Sequence, residues 1–370
     1  MKNWHESLHV FEWLSTLEAE RRRAALATII SVHGSVYRRE GAKMAVAEDG
    51  ASVGNVSGGC LESDVREVAL QVIASGTPQL RTYRSSVDEI RAWDLGLGCE
   101  GEVKIFVEPA YDTASIEQAL LTATVPCAVC TVIGTSSSRP PLQRLIVTPL
   151  GCEGGEPPPG LTIVAEARAM LAAGLPSAVR EISGKTVFVD IYRPPPQLVI
   201  IGAGNDARPL ARFAVEAGFH TVVVDRRPGL LAPDRFPDST ELVESSAADL
   251  TACLNFGTET CAVVMTHNFA DDEQYLRALL ATSAPYLGVL GPRQRTERLL
   301  RHIAADISFD IDRVHGPVGL DLGAEGAEQV ALSVVAELLA VRSGRRPVSL
   351  RERDVPIHQR ALGWQPVAGE

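Results

Sequence analysis

Apolar and polar positions alternate in blocks along this chain, and the clearest block lies past its midpoint. An apolar β-branched run at Leu198–Ile201 leads into Gly202-Ala203-Gly204-Asn205-Asp206-Ala207. A helical pattern follows, then a second apolar run at Thr221–Val224 that ends in Asp225. Short apolar runs bounded by glycine turns and helical segments read as buried parallel strands. The order strand, glycine turn, helix, strand and acid predicts the opening unit of a dinucleotide-binding fold. In such a unit Gly202 permits the tight turn, and Gly204 lets the backbone approach a pyrophosphate. Ala207 allows close helix–strand packing, and Asp225 sits where a ribose hydroxyl would be read. The alternation continues through a strand at Ala262–Thr266, a helix from Asp271, a strand at Tyr286–Leu290, a helix from Pro292 and a long helix at Ala327–Arg342. Asp271 or Asp272 suits an N-cap, and Pro292 suits a first helical position.

The preceding half has shorter periods. A helix is expected at Ser7–Glu20 and a strand at Ala24–Val32, followed by the basic loop His33–Gly41. Lys43–Ala47 and Ser52–Val56 flank Glu48-Asp49-Gly50, a hairpin signal. Ser57-Gly58-Gly59-Cys60 then runs into a helical pattern at Leu61–Ala74. Strands at Gln79–Tyr83 and Glu102–Val107 enclose the glycine-rich Leu95–Gly101. Residues 111–193 alternate helix (Ser115–Thr122, Thr162–Ala173) with strand (Ala128–Ile133, Leu145–Thr148, Thr186–Ile191), and Gly151–Gly160 reads as a surface loop. Arg193-Pro-Pro-Pro196 is a stiff connector. The expected organisation is an α+β domain over 1–193, a doubly wound parallel α/β domain over 197–342, and a polar tail over 343–370.

Composition narrows the class. With 370 residues, 45% of them hydrophobic, the chain can bury two cores. A net charge of −11 argues against nucleic acid or an anionic membrane as the main partner. No apolar run approaches the ~18 residues of a membrane span. The N-terminal residues lack the cationic-then-apolar order of a signal peptide, so a cytoplasmic location is expected. Seven cysteines make an odd count that does not suggest a disulfide framework. Cys127-Ala-Val-Cys130 has metal or redox spacing, but on a strand these two thiols point to opposite faces. No second such pair completes a zinc site, and two buried residues is the preferred reading.

Candidate chemistry gathers in glycine loops. Gly58 and Gly59 could expose N–H groups to an anion just before a helix. Cys60 at that terminus would have a lowered pKa, whereas Glu62 and Asp64 already complement the dipole. An ordinary turn with a buried cysteine accounts for the same residues. Cys99 lies in a second glycine loop, and Cys60 and Cys99 together could hold a soft ligand such as a metal-bound sulfur centre. Two unrelated turns is the alternative. Arg38, Arg39 and Lys43 could supply cations to a phosphate, or form a solvated hairpin. His267 follows its strand directly, at the edge where open α/β sheets bind ligands. The loops at Gly291–Arg295 and His315–Gly323 belong on that edge as well, and Arg226 and Arg227 follow Asp225.

Taken together, these loops resemble the XdhC/CoxI family of maturation factors for molybdenum hydroxylases. The matching pieces are HGSVYRREGAKMAV, GNVSGGCLE and GLGCEG in the first half. IIGAGNDARPL, VVDRRP, VVMTHNFADDEQYLRALL, YLGVLGPRQRTERLL and HGPVGLDLGAEGAEQVALSVVAEL match in the second. The resemblance implies two domains, dimeric association, and binding of the molybdenum cofactor as molybdopterin or its nucleotide form. It implies a cysteine desulfurase that exchanges an oxo ligand for sulfur, and delivery to a molybdenum hydroxylase apo-enzyme. It carries a cofactor-pocket role to Gly58, Gly59, Cys60, Glu62 and Cys99, which adds to the reading of Cys60 and Cys99 as candidate metal ligands. A nucleotide-like crevice falls to Gly202, Gly204 and Asp225, and Asn205 and His267 beside it are further cofactor-binding candidates. Two positions depart from the common family pattern: Asn205 stands where many members have His, and Glu100 where many have Gly.

Three functions compete at this stage. The first is a cofactor chaperone without turnover of its own. The second is an NAD(P)-dependent oxidoreductase, which the dinucleotide fingerprint alone would favour. Hydride transfer needs a proton donor, and only His267 and His315 suggest themselves, neither with an evident orienting partner in the sequence. The third is a thiol-based sulfur carrier using Cys60.

Overall fold

A computed structural model describes residues 4–34, 36–59, 61–84, 101–110, 114–133, 144–153 and 160–352. The chain divides at Pro194/Pro195 into two compact units.

Two antiparallel sheets build the first unit. One contains β1 (Ala24–Gly34), β2 (Lys43–Ala47), β3 (Ser52–Gly54), β4 (Gln79–Arg84) and β5 (Gly101–Pro109), in the order β3-β2-β1-β5-β4. The Asp-Gly hairpin forms, with Val46 opposite Ser52. Both faces of β1 are buried, which explains its unbroken apolar run. Ala25, Ala27 and Ile29 pack against Val65, Val68 and Val72 of the helix Glu62–Ser75. Ala24 and Leu26 face the other way, onto Val10, Phe11 and Leu14 of the helix Trp4–Ala19. The second sheet contains β6 (Cys127–Val132), β7 (Arg144–Val147), β8 (Cys152–Glu153), β9 (Ala178–Ile182) and β10 (Lys185–Tyr192), in the order β8-β7-β6-β10-β9. The helices Ala114–Thr122 and Gly160–Ala172 complete the unit. Strand β9, with only Ala178, Val179 and Ile182 apolar, lacks a sequence signal, and β8 interrupts the expected loop over Gly151–Gly160.

Cys127 and Cys130 do lie on opposite faces of β6, Cys127 in the core shared with β1 and Cys130 against Ile163 and Met170. Burial pushes the Cys130 and Cys261 thiols up to about 12. Thiolate is the reactive form, so in the folded protein at about pH 8 both should escape iodoacetamide. The exposed Cys152 and Cys253 should react. Peptide mapping by mass spectrometry checks this, and comparable labelling of Cys130 and Cys152 would contradict it.

A buried set of charges ties the two sheets together. Lys43 Nζ of β2 donates to Asp190 Oδ2 of β10 at 2.6 Å, and Ser177 Oγ donates to Asp190 Oδ1 at 2.9 Å. From β7, Arg144 donates to Glu108 of β5 at 2.8 Å and reaches Glu117 of the helix Ala114–Thr122 at 2.7 Å. Lys43, Glu108, Glu117, Arg144 and Asp190 are all buried. Lys43 is therefore a structural counter-ion and not a cation offered to a phosphate. Arg38 is likewise engaged, by Glu6 and by Asn55 Oδ1.

A six-stranded parallel sheet forms the second unit: β11 (Gln197–Ile201), β12 (His220–Asp225), β13 (Glu241–Glu244), β14 (Thr260–Val264), β15 (Tyr286–Val289) and β16 (Val314–His315). Its order, β13-β12-β11-β14-β15-β16, is that of a doubly wound Rossmann sheet. Leu198 and Ile200 face the helices Ala207–Glu216 and Gly326–Ser343, while Val199 and Ile201 face Phe269–Leu280 and Arg293–Ala304. Full burial on both faces accounts for the continuous apolar strands. The short edge strands β13 and β16 carry no such run and leave no apolar pattern in the sequence. Two helix starts also differ from expectation. Asn268 caps Phe269–Leu280, its side chain accepting from the N–H groups of Ala270 and Asp271. Asp272 turns inward instead, and Pro292 occupies the cap position before Arg293–Ala304. Among the described residues no helix is long and apolar enough to cross a membrane.

Candidate functional site

In the first unit, the loop after β3 is organised by one hydroxyl. Ser57 Oγ accepts from the N–H groups of Gly59 at 3.1 Å and Leu61 at 3.0 Å, and donates to Glu62. Glu62 Oε1 in turn accepts from the Ser57 N–H at 2.7 Å. This reciprocal arrangement ties down the loop that enters the helix Glu62–Ser75, whose N-cap residue is Leu61. Burial would raise the Glu62 pKa, but the hydrogen bonds from Ser57 outweigh it and hold the carboxylate below its ordinary range. Of the two N–H groups that the sequence offers to an anion, that of Gly59 is therefore taken by Ser57. Gly58 and Gly59 remain exposed, Gly58 beside Tyr37, and Gly59 has φ +115° with open space around it. Cys60, Cys99 and Glu100 lie outside the described residues. Among the described residues no group of three or more His, Cys, Asp or Glu is placed to hold a metal ion.

In the second unit, the loops after β11, β14, β15 and β16 share the carboxyl edge of the sheet. Gly202, at φ +111°, lies so close to the β14 exit that a Cβ there would sit 2.6 Å from the Met265 carbonyl oxygen. Gly204 is different. A Cβ there would meet only the His267 ring, at 3.8 Å, so nothing in the fold itself demands glycine. Ala207 is fully buried against the sheet, as close helix packing requires. The turn thus presents the start of a ten-residue helix, with its positive dipole end, to the crevice.

The side chains around the turn are mutually engaged. Asn205 Oδ1 accepts from Arg235 Nη2 at 3.4 Å, and Arg208 Nε donates to the Arg235 carbonyl at 3.3 Å. His267 Nε2 lies 3.2 Å from Asp206 Oδ2. His267 also holds a left-handed backbone, φ +62°, unusual for a residue with a side chain. Its neighbours impose this conformation: the Thr266 N–H donates to Asp272 at 3.1 Å, and Asn268 caps the next helix. Arg295 pairs with the same buried Asp272 at 2.6 Å. His315 stacks on Tyr286, with ring centroids 4.2 Å apart, and Nδ1 lies 3.7 Å from Glu337. Both histidines therefore have a carboxylate partner, which was not evident in the sequence.

Asp225, at the end of β12, is 3% exposed. Its Oδ2 accepts from the Ala203 N–H and from Arg227 Nη2, both at 2.8 Å. Its Oδ1 accepts from the Arg227 N–H at 3.0 Å and from Nε at 2.9 Å. Burial alone would raise the Asp225 pKa, but these donors outweigh it and lower it.

Comparison with known proteins covers both units. Residues 17–84 match the family described as "XdhC and CoxI family", and residues 198–338 match "XdhC Rossmann domain". A probable xanthine dehydrogenase subunit of Bacillus subtilis (strain 168) is 31% identical over 334 residues, 89% of this chain and 96% of that protein. The molybdenum cofactor insertion chaperone PaoD of Escherichia coli (strain K12) is 26% identical over 322 residues, 86% of this chain and 83% of that protein. The crystal structure of a xanthine dehydrogenase from Bacillus halodurans superposes with a TM-score of 0.76 at 31% identity, covering 92% of this chain and 97% of that one. With both halves matched in order and similarity running nearly end to end, the chain belongs to the XdhC and CoxI family.

Proposed function

We propose that this protein is a molybdenum-cofactor chaperone that holds the cofactor during sulfuration by a cysteine desulfurase and inserts it into a hydroxylase of the xanthine or carbon monoxide dehydrogenase type. The observation that carries this reading is the similarity, over 86% of the chain, to a protein named as a molybdenum cofactor insertion chaperone. The cofactor is cargo, and its phosphate is the group the second unit suits best. The Gly202–Ala207 turn presents a helix N-terminus to an anion, and Gly204 leaves space for it. Asn205 and His267 flank that space, and His267 Nε2 pairs with the Asp206 carboxylate. On the first unit, the reading assigns the pocket to Gly58, Gly59, Cys60 and Cys99, with Cys60 and Cys99 on the metal and Glu62 holding the Ser57 loop. It assigns the working form to a homodimer in the cytoplasm.

The second reading, an NAD(P)-dependent oxidoreductase, is favoured by the Asp206–His267 and Glu337–His315 pairs, since a histidine oriented by an acid can move a proton. Purification from a cofactor-producing host separates the two. The chaperone reading expects molybdenum and oxidised pterin fluorescence to co-purify with the protein, and activity to appear when it is mixed with a cofactor-free hydroxylase. Cys60→Ser should reduce the retained molybdenum by roughly tenfold or more, as loss of a ligand does, while circular dichroism stays unchanged. Absent retention together with steady nicotinamide oxidation would replace the chaperone by the oxidoreductase.

A further inference from the structure

Building on the reading of the Gly202–Ala207 turn as a phosphate cradle, we infer that Arg227 sets the ligand class of that crevice. By occupying Asp225 it closes the acid at the ribose-reading position, so the crevice takes a phosphate-bearing ligand that makes no diol contact there and excludes nicotinamide adenine dinucleotides, whose adenosine ribose needs that contact.

Acceptor capacity decides the matter. An ionised carboxylate offers about four lone-pair sites. At Asp225 four donors fill them: the Arg227 N–H, Nε and Nη2, and the Ala203 N–H. In dinucleotide-binding folds the acid at this position accepts from the ribose hydroxyls. Here a diol could bind only if the Arg227 guanidinium left a bidentate, charge-assisted pair with a buried carboxylate, the strongest kind of side-chain hydrogen bonding. The Ala203 N–H adds a second lock, because it fixes the carboxylate to the glycine turn itself.

A 2′-phosphorylated nucleotide fares no better. Drawing Arg227 towards that phosphate would leave the Asp225 carboxylate facing it, and like charges at that distance repel. The neighbouring Arg226 is committed to Asp271 at 3.0 Å. The phosphate cradle stays accessible throughout, since Gly204 lies outside the lock.

Isothermal titration of the full-length protein with NAD+ and NADP+ tests this. The wild type should show no saturable binding of either up to about 1 mM. Arg227→Ala removes the Nε and Nη2 donors and should free one acceptor site on each Asp225 oxygen, the backbone N–H groups of Ala203 and residue 227 staying in place, and so gain NAD+ affinity by at least about tenfold. Adding Asp225→Asn should remove that gain. Arg227→Lys serves as a folded control, because an ammonium cannot span both oxygens, and it should gain less than the alanine variant. The inference is overturned if the wild type binds NAD+ or NADP+, or if Arg227→Ala retains its circular dichroism yet gains nothing. Pterin retention by the wild type judges the chaperone reading separately, so failure of one leaves the other readable.

Discussion

Replacing Arg144 by Met is expected to destabilise the first unit by about 3–5 kcal/mol, the usual cost of leaving buried charges without their partner. Arg144 is the cation that Glu108 and Glu117 share, and all three are buried. Methionine fills much of the same volume but deprives two buried carboxylates of the cation they share. Burial already pushes the Glu108 pKa up, against the pull of Arg144. Without the arginine that shift grows. A carboxyl whose folded pKa exceeds its unfolded value contributes its stability below the unfolded pKa and loses it as pH rises through the folded one. The defect should therefore be larger at about pH 8 than at about pH 5. Urea unfolding of the full chain, followed by tryptophan fluorescence with Trp4 buried in this unit, measures it. A midpoint lowered by about 1–3 M at the higher pH is expected for that loss. An unchanged midpoint would show that the charge set does not fasten the two sheets.

Gly202→Ala should be at least as damaging, above about 4 kcal/mol, because two independent faults coincide. The backbone at φ +111° disfavours any side chain, and the added Cβ would stand 2.6 Å from the Met265 oxygen, 2.7 Å from its carbonyl carbon and 2.9 Å from the Thr266 Cα. These are backbone atoms at the exit of the central strand β14, so none can rotate away. Loss of soluble protein, or a sharply lower melting temperature by calorimetry, is the expected readout. Gly204→Ala is the informative companion, since its Cβ would make only an ordinary 3.8 Å contact with His267. That variant should fold normally and lose pterin retention if the turn holds the cofactor phosphate. Normal retention would move the phosphate elsewhere.

Much of the architecture was legible because burial leaves a local trace. Strands covered on both faces must be apolar at every position, and β1, β11, β12 and β14 announced themselves in this way. The hairpin between β2 and β3 was readable from Asp49-Gly50, where Gly50 has φ +84°. Opposite orientation of Cys127 and Cys130 followed from the two-residue repeat of a strand. Edge strands such as β13 and β16 were invisible, because half of their surface meets solvent and no pattern is required of them.

The sequence by itself determined the class of fold, the position of the glycine turn and the family, all of which depend on residues near one another or on motifs kept in order. Only the tertiary structure decided which charges are spent and which remain open. Lys43 looked like a cation beside a loop until Asp190, 147 positions away, was brought to within 2.6 Å of it. Asp225 occupied the position of a ribose reader, yet its carboxylate is filled by Arg227 and by the Ala203 N–H. His267 looked solitary until the β11 and β14 exits placed Asp206 beside it. The reason is physical: steric and burial periodicities repeat along the chain and can be read there. An ion pair depends instead on distance and desolvation, which exist only once separate strands have packed.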